Sequence, residues 1–177
     1  MANTYTKLNN HIVFHVKSTG ICIKKTDLPQ VFAYLGGIIR NVGGYPVTVG
    51  GIENHVHILA TMPKTMSVSE FVQKIKANSS KWLKTLDEYY ESFAWQEGYG
   101  AFCVSPSLLK KTIRYIETQE EHHHAESTLD EYKNLLKTNE IDYDERYHVA
   151  KSRRDDTPVS SRRQSLHLTK TSNRKVP

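Results

Sequence analysis

The chain has 177 residues and a mass of 20.3 kDa, enough for one domain with a real core and too few for two. Its net charge of +5 is unevenly spread: residues 151–177 hold eight Lys or Arg against two acids, which leaves residues 1–150 at −1. No apolar run approaches the ~20 residues that span a bilayer, the N-terminus lacks a secretory layout, and Cys22 and Cys103 lack CxxC spacing; a membrane helix, a disulfide framework and a cysteine-based zinc site are excluded, and a soluble, cytoplasmic protein with no membrane partner is expected.

Ile12, Phe14 and Val16 alternate with His15 and Lys17, and Gly20 separates them from Ile21-Cys22-Ile23; the pattern predicts a first strand with a bend or turn. Leu28, Val31, Phe32, Leu35, Ile38, Ile39 and Val42 recur at three and four, which predicts an amphipathic helix capped by Thr26 or Asp27 and stopped by Gly43-Gly44. Tyr45 to Val49 and Ile52 to Thr61 predict two adjacent strands divided by Gly50-Gly51. Ser67-Val68-Ser69-Glu70 has the form of a capping box, ahead of a helix whose stripe is Val68, Phe71, Val72, Ile75, Ser79, Trp82, Leu83 and Leu86.

Residues 87–99 predict an aromatic, acidic loop, and Tyr99 to Val104 a fourth strand. Ser105-Pro106 supplies an N-cap and a proline at the first helical position, starting a helix buried along Leu108, Leu109, Thr112, Ile113 and Ile116. Tyr115, Gln119 and His122 follow one another on a neighbouring face. Ser127 caps a last helix through Leu129, Tyr132, Leu135 and Leu136, and residues 151–177 predict a basic, disordered tail. The order strand, helix, strand, strand, helix, strand predicts an α+β, ferredoxin-like (RRM-like) antiparallel sheet with helices on one face and the tyrosine helix near the other.

Two short motifs carry chemistry. Side chains alternate along a strand, so His55 and His57 share one face, and two imidazoles so placed can hold one divalent cation. Positions four apart in a helix share a face, which sets the Tyr115 phenol beside the Gln119 amide. If that helix lies over the strand, ligands and a nucleophile converge. Lys74, Lys76, Lys81 and Lys84, and the cluster Lys110, Lys111 and Arg114, are candidates for phosphate contact or simply a solvated helix surface. His11, His15 and the run His122-His123-His124 read as packed or solvated rather than as ligands.

The chain resembles the single-tyrosine HUH transposases of bacterial insertion sequences, of the IS200-like and REP-associated type. The resemblance starts at His11-Ile12-Val13-Phe14 and passes through Glu53-Asn54-His55-Val56-His57-Ile58-Leu59 and Lys76-Ala77-Asn78-Ser79-Ser80-Lys81-Trp82. It continues through Trp95-Gln96-Glu97-Gly98-Tyr99-Gly100 and Tyr115-Ile116-Glu117-Thr118-Gln119, and ends near Tyr143-Asp144-Glu145-Arg146-Tyr147. It implies a transposase domain over 1–150 that cleaves and rejoins hairpin-marked single-stranded DNA through a 5′-phosphotyrosine on Tyr115. His55, His57 and Gln119 would be ligands for Mg²⁺ or Mn²⁺.

The resemblance also implies a homodimer; relatives complete one subunit's His pair with the partner's tyrosine helix, and for this chain assembly in cis and in trans both stay open. Glu53 and Asn54 stand where relatives often have Asp-His, so the residue supporting His55 is left unassigned. A ligand set of two imidazoles and an amide contains no carboxylate, from which weak metal binding in the absence of DNA is expected. Trp82 and Trp95 are candidate stacking platforms for bases, Trp82 the less so for its place on the buried stripe. The alternative from another class is a catalytically silent or domesticated hairpin-DNA or RNA-binding regulator of the same fold.

Overall fold

The computed structural model describes residues 3, 5–18, 20–122 and 127–143, with the backbone alone at 122. The expected tail over 151–177 lies outside the described residues. Strands β1 (Asn9–His15), β2 (Tyr45–Ile52), β3 (His55–Thr61) and β4 (Gly100–Cys103) form one sheet in the order β2-β3-β1-β4, with every neighbouring pair antiparallel. Helix α1 (Leu28–Asn41) connects β1 to β2, and α2 (Val68–Leu86) connects β3 to β4, which is the ferredoxin-like α+β arrangement. Then come α3 (Leu109–Glu117), the short α4 (Gln119–His122) and α5 (Thr128–Thr138).

One face of the sheet is the main core. Ile12 and Phe14 of β1 and Val56, Ile58 and Ala60 of β3 pack with Val31, Leu35 and Ile39 of α1 and Phe71, Ile75 and Leu83 of α2. Trp95 belongs to this core too, edge-on to Phe14 and Phe93, with its indole N–H donated to Ser79 at 2.9 Å. A base cannot stack on it. Trp82 is half-buried against the Tyr34 ring, parallel at 4.0 Å.

Several predicted boundaries move, each for a local reason. Ile21 to Ile23 add no strand; the Ile23 N–H bonds the Glu53 carbonyl at 2.8 Å and its side chain joins the core. Gly50-Gly51 do not divide two strands but lie within β2, and the turn falls at Glu53-Asn54. Gly51 sits at φ 141, where a side chain would be strained. The third helix starts at Leu109 rather than at Ser105-Pro106, leaving Leu108 50% exposed, and of the expected stripe only Ile116 is fully buried. It also breaks at Thr118, so Gln119 opens the following turn.

Candidate active site

The second face of the sheet is written in histidine. The same alternation that sends Val56 and Ile58 into the core turns His55 and His57 the other way, beside His11 and His15 of β1 in the pairing His15↔His55 and Val13↔His57. All four are buried. The cover over them consists of α3, α4 and α5, with Val13, Phe102 and Leu136 making a small apolar cluster alongside.

Gly50 lets the cover come close. It pairs with His57 across β2 and β3, and a Cβ there would lie 2.5 Å from the Ile116 carbonyl oxygen. Glycine is therefore what allows the α3 backbone to rest on the sheet. That contact brings the Tyr115 ring to 5.7 Å from His57 and 6.0 Å from His11, centroid to centroid. Gln119, 1% exposed, puts its amide oxygen 3.2 Å from His55 Nε2.

Sequence reasoning missed Glu131. Its helix is started by Ser127, whose hydroxyl accepts the Asp130 N–H at 3.2 Å, and its carboxylate is buried at the centre of the cluster. Oε1 accepts hydrogen bonds from the Tyr115 phenol and from Gln119 Nε2, the latter at 2.8 Å, and lies 3.3 Å from His57 Nε2. Oε2 lies 3.4 Å from His55 Nε2. The sequence leads to a ligand set without a carboxylate; here the ligand atoms of His55, His57 and Glu131 all fall within 4.8 Å of one another, a group that could hold a metal ion. The available signal was an acid in register with Thr128 and Leu135 on the buried side of an amphipathic helix.

The ring protons follow from the partners. Asn54 donates its amide N–H to Thr128 Oγ1 at 3.2 Å, which leaves its oxygen to accept from His55 Nδ1 at 2.7 Å. Asn54 therefore supplies the support for His55 that the sequence left unassigned. A neutral His55 then turns the Nε2 lone pair toward the Gln119 oxygen and Glu131 Oε2. Acceptors facing one another are relieved by a positive charge among them, which a proton on His55 Nε2 or a divalent cation supplies, and two imidazoles, an amide oxygen and a carboxylate are a donor set that fits the cation. His57 Nε2 is buried without a hydrogen-bond partner among the described residues, as a ligand atom would be.

His57 is held by its other nitrogen. His11 Nε2 lies 2.9 Å from His57 Nδ1, a hydrogen-bond distance, with the two ring planes inclined at 28°. Burial and the neighbouring His57, only partly opposed by Glu131, push the His11 pKa down to about 3, so the ring is neutral at pH 7. A neutral His11 can accept the Nδ1 proton of His57 and leave Nε2 free for a ligand role. His15 packs between the His55 and Tyr132 rings, 5.4 Å from each.

The basic candidates divide in two. Lys74, Lys76, Lys81 and Lys84 belong to α2, across the sheet from the histidines. Lys76 donates to the carbonyls of Gln96, Glu97 and Gly98, its pKa lowered by burial, and Lys74 pairs with Glu70 at 3.5 Å. Lys110, Lys111 and Arg114 are exposed on α3 itself, next to Tyr115. The side chains of His122-His123-His124 lie outside the described residues.

This fold and site define a ferredoxin-like α+β protein whose tyrosine faces a buried histidine-carboxylate cluster. Residues 4–119 match the family model described as "Transposase IS200 like", and the chain belongs to that transposase family of DNA-modifying enzymes. Glu131 lies beyond the matched residues. Among solved structures, a chain provisionally described as a transposase from Deinococcus radiodurans R1 is similar at 18% identity and TM-score 0.53, covering 67% of this chain and 95% of that one. A REP-associated tyrosine transposase bound to a REP hairpin is similar at 13% identity and TM-score 0.50, covering 70% of this chain and 73% of that one. At such identities these likenesses bear on the fold alone. No curated protein matches. Among the described residues no helix is long and apolar enough to cross a membrane.

Proposed function

We propose that the protein is a metal-dependent transposase that cleaves and rejoins single-stranded DNA at hairpin-marked ends through a covalent 5′-phosphotyrosine on Tyr115. The observation that carries this reading is the convergence of Tyr115, His55, His57, Gln119 and Glu131 in one buried cluster of a chain of this family. Hairpin ends as the substrate are suggested by the similar REP-associated transposase, whose structure holds a REP hairpin.

In the first step the Tyr115 oxygen attacks the scissile phosphorus, a new P–O bond to tyrosine forms, and the bond from phosphorus to the 3′ oxygen breaks. The phenol proton has an acceptor already hydrogen-bonded to it in Glu131, and the departing oxygen leaves as a 3′-hydroxyl after gaining a proton. In the second step a 3′-hydroxyl attacks the phosphotyrosine, and the phenol is restored. One phosphodiester is exchanged for another of similar energy, so no nucleotide cofactor is needed.

His55, His57 and Glu131, with the Gln119 oxygen, would hold Mg²⁺ or Mn²⁺; a carboxylate and an amide suit the harder ion, two imidazoles the softer. When bound, the ion would act as a Lewis acid on the phosphate. The chain's own part is to fix the ring nitrogens through Asn54 and His11 and to keep the phenol at the cluster. Each copy in a homodimer would carry its own complete site. We take residues 1–150 as the catalytic unit and 151–177 as a sequence-independent contributor to DNA affinity.

The test is incubation of labelled single-stranded hairpin DNA from the flanks of its own gene with Mn²⁺ and either wild type or Tyr115→Phe, resolved on a denaturing gel. A covalent protein-DNA band in wild type alone is the expected outcome. Metal-dependent binding with no adduct on any flank sequence would replace the reading with that of a silent hairpin-binding regulator.

A further inference from the structure

A cavity of about 300 Å³ opens between α3, α5 and the edge strand β4, with Tyr115 and Glu131 on its lining. We propose that it is the receptacle for a single unpaired nucleobase of the DNA strand, the one adjoining the phosphate that Tyr115 attacks; the proposal rests on the transposase reading above and names where that substrate's base is held.

Three observations carry it. The cavity is continuous with the reacting group, since the phenol lies on its wall, so a nucleotide whose phosphate meets Tyr115 has its base within reach of this space. Its chemistry matches a base: Phe102, Leu108 and Leu135 offer apolar surface for the ring faces, while the hydroxyl oxygens of Thr138 and of Thr112, whose proton goes to the Leu108 carbonyl, offer acceptors for the edges. Leu108 is half exposed at the helix start, an apolar surface that a stacked base would cover.

Among the described residues, and apart from Glu131, Lys111 is the only formal charge on the lining. A nearly neutral lining suits a neutral base better than a second phosphate, and one lysine suits the backbone of the strand that enters. The volume lies at the lower end of the range for small-ligand sites and is ample for one nucleobase.

Cys103 gives a direct reporter, being exposed and on the cavity lining, and Cys22 is the only other cysteine in the chain. In a Cys22→Ser, Tyr115→Phe protein with Mn²⁺, maleimide labelling of Cys103 would be timed with homopolymeric thymidylate, cytidylate or adenylate strands and with an all-abasic strand of the same length. At least one base-bearing strand should slow labelling about tenfold, and the abasic strand should not, a difference of the order of one base-stacking contact. Thr138→Trp, an exposed position on the lining, should weaken binding of that strand about tenfold while the thermal midpoint and Mn²⁺ affinity stay at the wild-type values.

Equal protection by the abasic strand, or strand binding with Cys103 labelled at its free rate, would overturn the receptacle even if wild type forms the Tyr115 adduct. Protection by bases with no adduct from wild type on any strand would support the receptacle and overturn the transesterification reading instead.

Discussion

The two faces of the sheet are made by the same strands and do opposite work. On β3, Val56 and Ile58 enter an apolar core under α1 and α2, while His55 and His57, their immediate neighbours, enter a polar cluster under α3, α4 and α5. The first face gains stability from apolar burial, with few polar groups to satisfy, among them the Trp95 indole N–H that Ser79 accepts. The second buries histidines and a carboxylate, an arrangement that needs partners for every nitrogen and oxygen. Because the strand repeat is two, slipping β3 by one residue would exchange the faces and destroy both.

The comparison can be broken most severely at Glu131. Glu131→Gln keeps the shape of the side chain and removes its charge, so Mn²⁺ affinity measured by calorimetry should fall by at least about a hundredfold, and Tyr115 adduct formation with it, while the thermal midpoint is retained. An unchanged affinity would return the site to the two imidazoles and the amide. Gly50→Ala comes next, since its methyl group would collide with the Ile116 backbone. Lifting α3 by a fraction of an ångström should reduce adduct formation about a hundredfold, whereas Mn²⁺ binding should suffer less.

His11→Phe should weaken Mn²⁺ binding about ten- to a hundredfold, and His11→Gln, whose oxygen can accept the His57 proton, should recover part of it. Long-range nitrogen NMR of the His57 ring would follow the tautomer independently of metal. His11 also sets a pH dependence. Its pKa is lowered to about 3 in the fold, so the unfolded chain binds the extra proton between there and about 6.5, and stability should decline as pH falls through that window. Denaturant titrations of His11→Gln should lose about one proton's worth of that slope. The smallest effect belongs to the other face: Ile58→Val should cost about 0.5–1.5 kcal/mol in denaturant unfolding and leave metal affinity alone.

Periodicity made the fold legible because both faces repeat cleanly. The four strands, α1, α2 and α5 were readable from apolar spacing, and the N-caps at Ser67 and Ser127 stand where expected. The misread boundaries depend on contacts between distant segments. Gly50-Gly51 looks like a turn locally, yet the first glycine is required by the backbone of Ile116 and the second by that of His55. The start of α3 at Leu109 is likewise not written in Ser105-Pro106.

At the candidate site, spacing and resemblance single out His55, His57, Tyr115 and Gln119, and the structure places them near one another. Glu131 and His11 were not, because their roles arise from long-range partners: Glu131 meets residues of three other elements, and His11 meets His57 across a strand pair. Nor did the resemblance help with Glu131, which follows the residues that match the family model.

That position has a consequence for how the protein is made. The strands, the histidine pair and the tyrosine all precede Glu131 in the chain, and the carboxylate arrives with the last described helix. A ribosome-bound chain that has released residues only up to Gln119 holds His55, His57 and Tyr115 but not the carboxylate that meets them. On the transposase reading proposed above, competence to act on DNA would be deferred until synthesis has passed α5.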